Sequence, residues 1–161
     1  MIAGTSAGAS AMCETMLVRG TGRESCRIGD LDLVPGRGLI RDAIVDQHLA
    51  ERGRMGRLLG AFAQNPRVLG IGIDEDTAIV VENGECFTVL GSGAVYIVDG
   101  AGTTYSSIAE ERDAVPSIYD VKLHVLSDGD QFDLRSRRPG PLSRREAADV
   151  ETEEAQTAEA E

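Results

Sequence analysis

Residues 1–10 read MIAGTSAGAS, and Gly4-Thr5-Ser6-Ala7-Gly8 within them spells G-x-S-x-G. This is the pattern of a nucleophile elbow, a sharp turn between a strand and a helix that pushes a serine hydroxyl out of a sheet. Reading the pentapeptide as an elbow decides the fold class, because the turn needs an α/β sheet behind it. Ala7 to Val18 (AGASAMCETMLV) is small-residue-rich and is the predicted helix of that turn, closed by Gly20 and Gly22. On the other side, Met1-Ile2-Ala3 is all that stands in front of the elbow as its strand.

Downstream, Pro35-Gly36, Gly29-Asp30 and Gly38 make residues 23–38 read as mostly loop. Leu39 to Val45 is a predicted strand that delivers Asp46-Gln47-His48 at its C-terminal end. In residues 53–64 (GRMGRLLGAFAQ), Met55, Leu58, Leu59 and Phe62 fall at helical spacing, and Asn65-Pro66 stops the helix. Val68 to Ile73 reads as a buried strand, followed at once by Asp74-Glu75-Asp76. Thr77 to Val81, Cys86 to Leu90 and Ala94 to Val98 are β-rich runs. Asn83-Gly84 and Gly91-Ser92-Gly93 separate them and predict antiparallel hairpins. Tyr119 to Leu126 and Gln131 to Leu134 add further strands. The order predicts an α/β sheet whose later part is a meander.

Composition excludes several function classes. The 161 residues are 42% hydrophobic, enough for one domain with a core. No apolar run approaches the roughly 20 residues of a membrane span, and no basic segment followed by an apolar one marks a leader. Three cysteines, Cys13, Cys26 and Cys86, are far apart and odd in number, which argues against a disulfide framework or zinc site and predicts a cytoplasmic protein. Net charge is −11, and the run from Glu146 to Glu161 contributes seven acids and no base. Residues 139–161 therefore read as an acidic, disordered, solubilising tail behind a domain spanning residues 1–138. A net-acidic body predicts no nucleic-acid binding.

A serine hydroxyl needs a base to take its proton, and histidine, with an ordinary pKa near neutrality, is the usual one. The sequence offers two. His124 sits mid-strand between Leu123 and Val125, whereas His48 ends a strand beside Asp46 and Gln47 and is the better candidate. Asp74, Glu75 and Asp76 offer the carboxylate that would orient the ring. Strand C-termini are where ligands sit in α/β sheets, so Ser6, His48 and the acidic triplet are predicted to share one rim. The chain order nucleophile, base, acid differs from the nucleophile, acid, base order of ordinary α/β-hydrolases and disfavours an esterase or lipase.

Four stretches, GTSAGASAM, IVDQHLAERGRMGRLLGAFAQNP, LGIGIDEDTAIVV and VLGSGAVYIVDG, resemble consecutive blocks of the cyanophycinases, serine peptidases of the peptidase-E-like group. The resemblance is collinear from about residue 2 to about residue 138. It implies that Ser6 is the nucleophile, His48 the general base and Glu75 the orienting acid, and the elbow implies the Ala7 N–H as one oxyanion donor. The implied fold is that of class I glutamine amidotransferases, an α/β sandwich around a largely parallel sheet, present here in part. The implied substrate is cyanophycin, a polyaspartate carrying arginine on its β-carboxyls, cut to β-aspartyl-arginine. No metal or organic cofactor is implied.

Such a substrate carries both signs of charge. Asp46 is an expected guanidinium acceptor and Gln47 an expected donor and acceptor. Arg52, Arg54 and Arg57 are expected clamps for aspartyl carboxylates, since arginine binds a carboxylate through a planar two-bond fork. The alternatives are a peptidase-E-like dipeptidase acting on Asp-X peptides, or a truncated and silent fragment. Members of the resembled family carry an α/β segment before the elbow and are commonly homodimers, so this chain reads as the C-terminal portion of such a protein.

Overall fold

The computed structural model describes residues 1–20, 31–107 and 115–140. In chain order, a short helix α1 (Ala7–Ser10) is followed by strands β1 (Thr15–Arg19), β2 (Asp32–Pro35) and β3 (Ala43–Gln47). Helix α2 (Met55–Gln64) leads into β4 (Leu69–Ile73), β5 (Thr77–Glu82), β6 (Cys86–Gly91) and β7 (Val95–Asp99). The described residues continue through β8 (Tyr105–Ser106), β9 (Ile118–Tyr119), β10 (Lys122–Leu126), β11 (Gln131–Asp133) and β12 (Arg138–Pro139).

Two four-stranded sheets carry the core, in orders β10-β7-β4-β3 and β12-β11-β6-β5. Val45, Ile71 and Ile97 of the first share one buried cluster with Phe87, Val89 and Phe132 of the second. Helix α2 joins the cover on the first sheet's other side, where Leu58 and Phe62 pack with Leu49 and Val98, and Ala61 packs with Ile44 and Leu17. Apolar cover on both faces explains why β3 and β4 read as continuous rather than alternating apolar runs. Strand β5, by contrast, alternates half-buried and exposed residues as a one-sided strand must.

Several expectations need correction. The helix predicted over residues 7–18 is one turn long. Thr15 to Arg19 is instead a strand paired antiparallel with Asp32–Pro35, which also places a strand inside the predicted loop. The β-branched Thr15 and Val18 and the one-in, one-out placement of Leu17 and Val18 favour the strand. Gly22 and residues 23–30 lie outside the described residues. The parallel character expected of the sheet is met by the β3–β4 ladder and the isolated Cys13–Ile40 bridge; the other described pairings are antiparallel. Asn83-Gly84 does close a hairpin, β5 to β6, whereas the turn at Gly91–Gly93 sends the chain across to the other sheet, where β7 pairs with β4 and β10. Arg138-Pro139 pairs with β11, so the ordered body runs past the expected break at Pro139; residues 141–161 of the expected tail lie outside the described residues.

Two local features give tests. Gly91 has φ +126°, and a Cβ there would stand 2.1 Å from the Asp76 carbonyl oxygen. Gly91→Ala is expected to destabilise the fold by about 2 kcal/mol or more, read as a lower urea midpoint, because backbone strain and a backbone clash add. Cys13 is fully buried, and burial pushes its thiol up to about 11, against a partly offsetting hydrogen bond with the Val45 backbone. Iodoacetamide at pH 8 is expected to alkylate Cys13 on the order of a hundredfold more slowly in the native chain than in urea, since the thiolate is the reactive form. Equal rates by peptide mass mapping would contradict this.

Candidate active site

Strands β3 and β4 are parallel neighbours, with Gln47 opposite Ile73, so the segments leaving them emerge at the same rim. His48 follows β3 directly and Glu75 lies two residues past β4. Ser6 meets them from the elbow. Its backbone has φ 51° and ψ −123°, a left-handed region that non-glycine residues rarely adopt, and it makes no side-chain capping bond to α1. Such a conformation costs on the order of 1–3 kcal/mol and is held by its surroundings. Gly4 is part of that hold: a Cβ there would stand 2.5 Å from the Gly8 carbonyl oxygen, so the turn closes only over a glycine.

The side chains form a line. Ser6 Oγ lies 3.0 Å from His48 Nε2, and His48 Nδ1 lies 2.8 Å from Glu75 Oε1. A carboxylate accepts only, so Nδ1 carries the proton toward Glu75 and Nε2 is left as the acceptor facing the serine hydroxyl. A groove of about 840 Å³ opens beside this line, with Thr5, Ser6, Gln47, His48 and Glu75 on its wall. The imidazole is mostly shielded, with its side chain 21% exposed, whereas the Glu75 side chain is 49% exposed. His124 is elsewhere, on β10, its ring edge-on to Phe132 at 5.7 Å. Ala7 opens α1, where a backbone N–H has no acceptor within the helix.

The residues expected to touch substrate divide differently. Asp46 is fully buried and Arg57 is 5% exposed, and they bind each other as a fork, through Arg57 Nε to Asp46 Oδ2 at 2.8 Å and Arg57 Nη2 to Asp46 Oδ1. Their expected roles as guanidinium acceptor and carboxylate clamp are therefore corrected: each already holds the other. Residue 46 points to the α2 side because β3 alternates, and Arg57 lies on the buried face of the helix. Arg54 donates from Nη1 to the Gln47 carbonyl at 2.7 Å and to Gln47 Oε1 at 3.0 Å. Burial, and then the neighbouring Arg57 charge, lower its pKa from the ordinary arginine value. Gln47 is thus fixed at the groove wall. Arg52 is exposed.

Sequence reasoning missed the bonds that tie the two segments together, among them those of Glu51 and of Asp74. They join residues 20 or more apart in sequence, and no spacing rule signals them. Among the described residues, no group of three or more His, Cys, Asp or Glu side chains could hold a metal ion, and no helix is long and apolar enough to cross a membrane.

Comparison with known proteins follows the same residues. The sequence pattern of peptidase family S51 matches residues 1–89, just over half of the chain. A cyanophycinase of Synechococcus elongatus is 41% identical over 139 residues, covering 86% of this chain and 43% of its own length. One from Trichormus variabilis is 43% identical over 145 residues, covering 89% and 49%. One from Geminocystis herdmanii is 40% identical over 139 residues, covering 86% and 51%. The chain spans about half the length of the curated relatives it matches.

Proposed function

The chain belongs to peptidase family S51, and from that premise we propose that it carries the catalytic rim of a serine peptidase acting on cyanophycin. The observation that carries this reading is the unbroken line Ser6–His48–Glu75, at 3.0 Å and 2.8 Å, with the serine on a strained elbow. The relatives' names supply the substrate class. Their greater length leaves room for the α/β segment and fuller amidotransferase-like sandwich expected above.

His48 Nε2 takes the Ser6 proton as Oγ attacks the scissile carbonyl of the substrate. Glu75 keeps the ring in the tautomer that makes Nε2 basic and stabilises the imidazolium that forms. The imidazolium then protonates the leaving amine, and a water activated by the same nitrogen hydrolyses the acyl-enzyme. The Ala7 N–H is assigned to the oxyanion. Loss of a single such donor typically costs about 2.7–4 kcal/mol of transition-state stabilisation, so its alignment matters as much as the triad. Gln47, held by Arg54, and the exposed Arg52 are the groups of this chain assigned to substrate.

The test is hydrolysis of purified cyanophycin by this chain, alone and extended upstream in its own reading frame. Release of β-aspartyl-arginine that disappears in Ser6→Ala supports the proposal. A folded protein that leaves cyanophycin intact but cuts Asp-X dipeptides replaces the substrate assignment, and one that cuts neither removes the enzymatic reading.

A further inference from the structure

Glu75 presents a difficulty that the triad alone does not resolve. Its side chain is half in solvent, so packing does not hold it, and a free glutamate there would sample many rotamers. Yet a misplacement of about 1 Å at a catalytic group costs on the order of a hundredfold in rate. Its position must come from the backbone that carries it.

That backbone is held by two carboxylates reaching in opposite directions. From the segment after β4, Asp74 Oδ1 accepts the Ala50 N–H at 2.9 Å, and its Oδ2 accepts the Ala94 N–H at 3.2 Å. From the segment after β3, Glu51 Oε1 accepts the N–H of Glu75 itself at 3.0 Å. The His48 segment and the Glu75 segment are thus clasped reciprocally. Asp74 ties both to the start of β7, where its own N–H donates to the Ala94 carbonyl at 3.1 Å. Thr77 finishes the turn, its Oγ1 donating to the Glu75 carbonyl at 2.9 Å and accepting from Gly93 N at 2.9 Å.

We propose that Glu51 and Asp74 are positioning residues of this site, a reciprocal clasp that holds the Glu75 carboxylate on His48 Nδ1. The inference rests on the proposed function, since a clasp matters only if His48 and Glu75 act on Ser6. Glu51 works as a hydrogen-bond acceptor and not as a charge. Glutamine keeps that acceptor, so Glu51→Gln is the conservative rescue of Glu51→Ala. Asp74→Asn leaves one acceptor and sets an amide N–H against a backbone N–H, so asparagine does not substitute for Asp74.

The experiment measures the rate at which diisopropyl fluorophosphate labels Ser6 in this chain, by intact mass and peptide mapping, which needs no substrate. Expected is labelling slowed about ten- to a hundredfold in Glu51→Ala and about tenfold in Asp74→Asn, with Glu51→Gln within about twofold of the parent. Urea unfolding of each variant is recorded alongside. A merely structural loss of part of the chain's stability leaves nearly all molecules folded in buffer and the labelling rate unmoved. Parent-like labelling of Glu51→Ala overturns the clasp and leaves the triad standing. Glu51→Gln as slow as Glu51→Ala overturns it as well, by assigning the effect to charge. A parent whose Ser6 reacts no faster folded than in urea removes the proposed function and the clasp with it.

Discussion

Ser6→Ala is expected to lower kcat for the proposed hydrolysis by at least about 10,000-fold while leaving the unfolding midpoint close to that of the parent. Alanine at this position inherits the same φ of 51°, so the strain of the elbow is not released. Glycine adopts that conformation at no steric cost. Ser6→Gly is therefore expected to be as inactive as Ser6→Ala yet more stable than it by about 1 kcal/mol, read as a higher urea midpoint. The pair separates two things a single substitution mixes: the hydroxyl proposed to react and the backbone that presents it. Equal stability of the two variants would mean that the elbow is relaxed; retained turnover in either would mean that Ser6 is not the nucleophile.

The second large effect concerns stability. Asp46→Asn keeps the volume of a fully buried side chain but removes the charge that faces Arg57 through two bonds and Arg54 at 3.9 Å. Two guanidinium groups are then left together with no carboxylate between them. Breaking a buried pair in this way costs about 3–5 kcal/mol, because the partner charge stays out of water uncompensated. The expected result is a urea midpoint lowered accordingly, with most of the loss recovered in Asp46→Leu/Arg57→Met, where neither charge is buried. Full stability of Asp46→Asn alone would show that the pair is not held as a fork. The same pair bears on the site: Asp46 and Gln47 are consecutive on β3, one turned in toward α2 and the other to the groove wall.

How much of this could be read in the sequence varies with how local the cause is. The α2 helix was legible because its apolar spacing and its Asn65-Pro66 stop are properties of the segment itself. Strand β4 was legible for the same reason, and β3 in part: it was expected over Leu39 to Val45 and runs from Ala43 to Gln47. The short α1 was not, because Met12, Leu17 and Val18 suit either period, and what decides for the strand is a partner, Asp32–Pro35, supplied from beyond residue 30. The path of the chain after Gly91 was also hidden: a glycine turn announces a reversal without saying which sheet receives the next strand. At the site, Ser6 was legible from its G-x-S-x-G turn and His48 from its place at a strand end. Glu75 was singled out of its acidic triplet by the resemblance, and the fold brings the three side chains together. Asp46 and Arg57 were misassigned because a charged residue at a strand end or on a predicted helix reads as exposed, and only the packing of α2 on β3 reveals that each is the other's counter-ion.

The β3–β4 ladder sets a scale for error. Its register pairs Gln47 with Ile73, and neighbouring positions along a strand differ by about 3.3 Å with opposite facing. A slip of one position would carry His48 farther from Glu75 than a hydrogen bond can stretch and would turn Asp46 away from Arg57 in the same stroke. On the proposed roles of Ser6, His48 and Glu75, misaligned chains are inert as well as unstable, so a reactive Ser6 doubles as a reporter of correct strand alignment. In a partially refolded population, the fraction of Ser6 labelled by fluorophosphate is expected to track the fraction with slowly exchanging β3 amides, and labelling that ran ahead of amide protection would break the link.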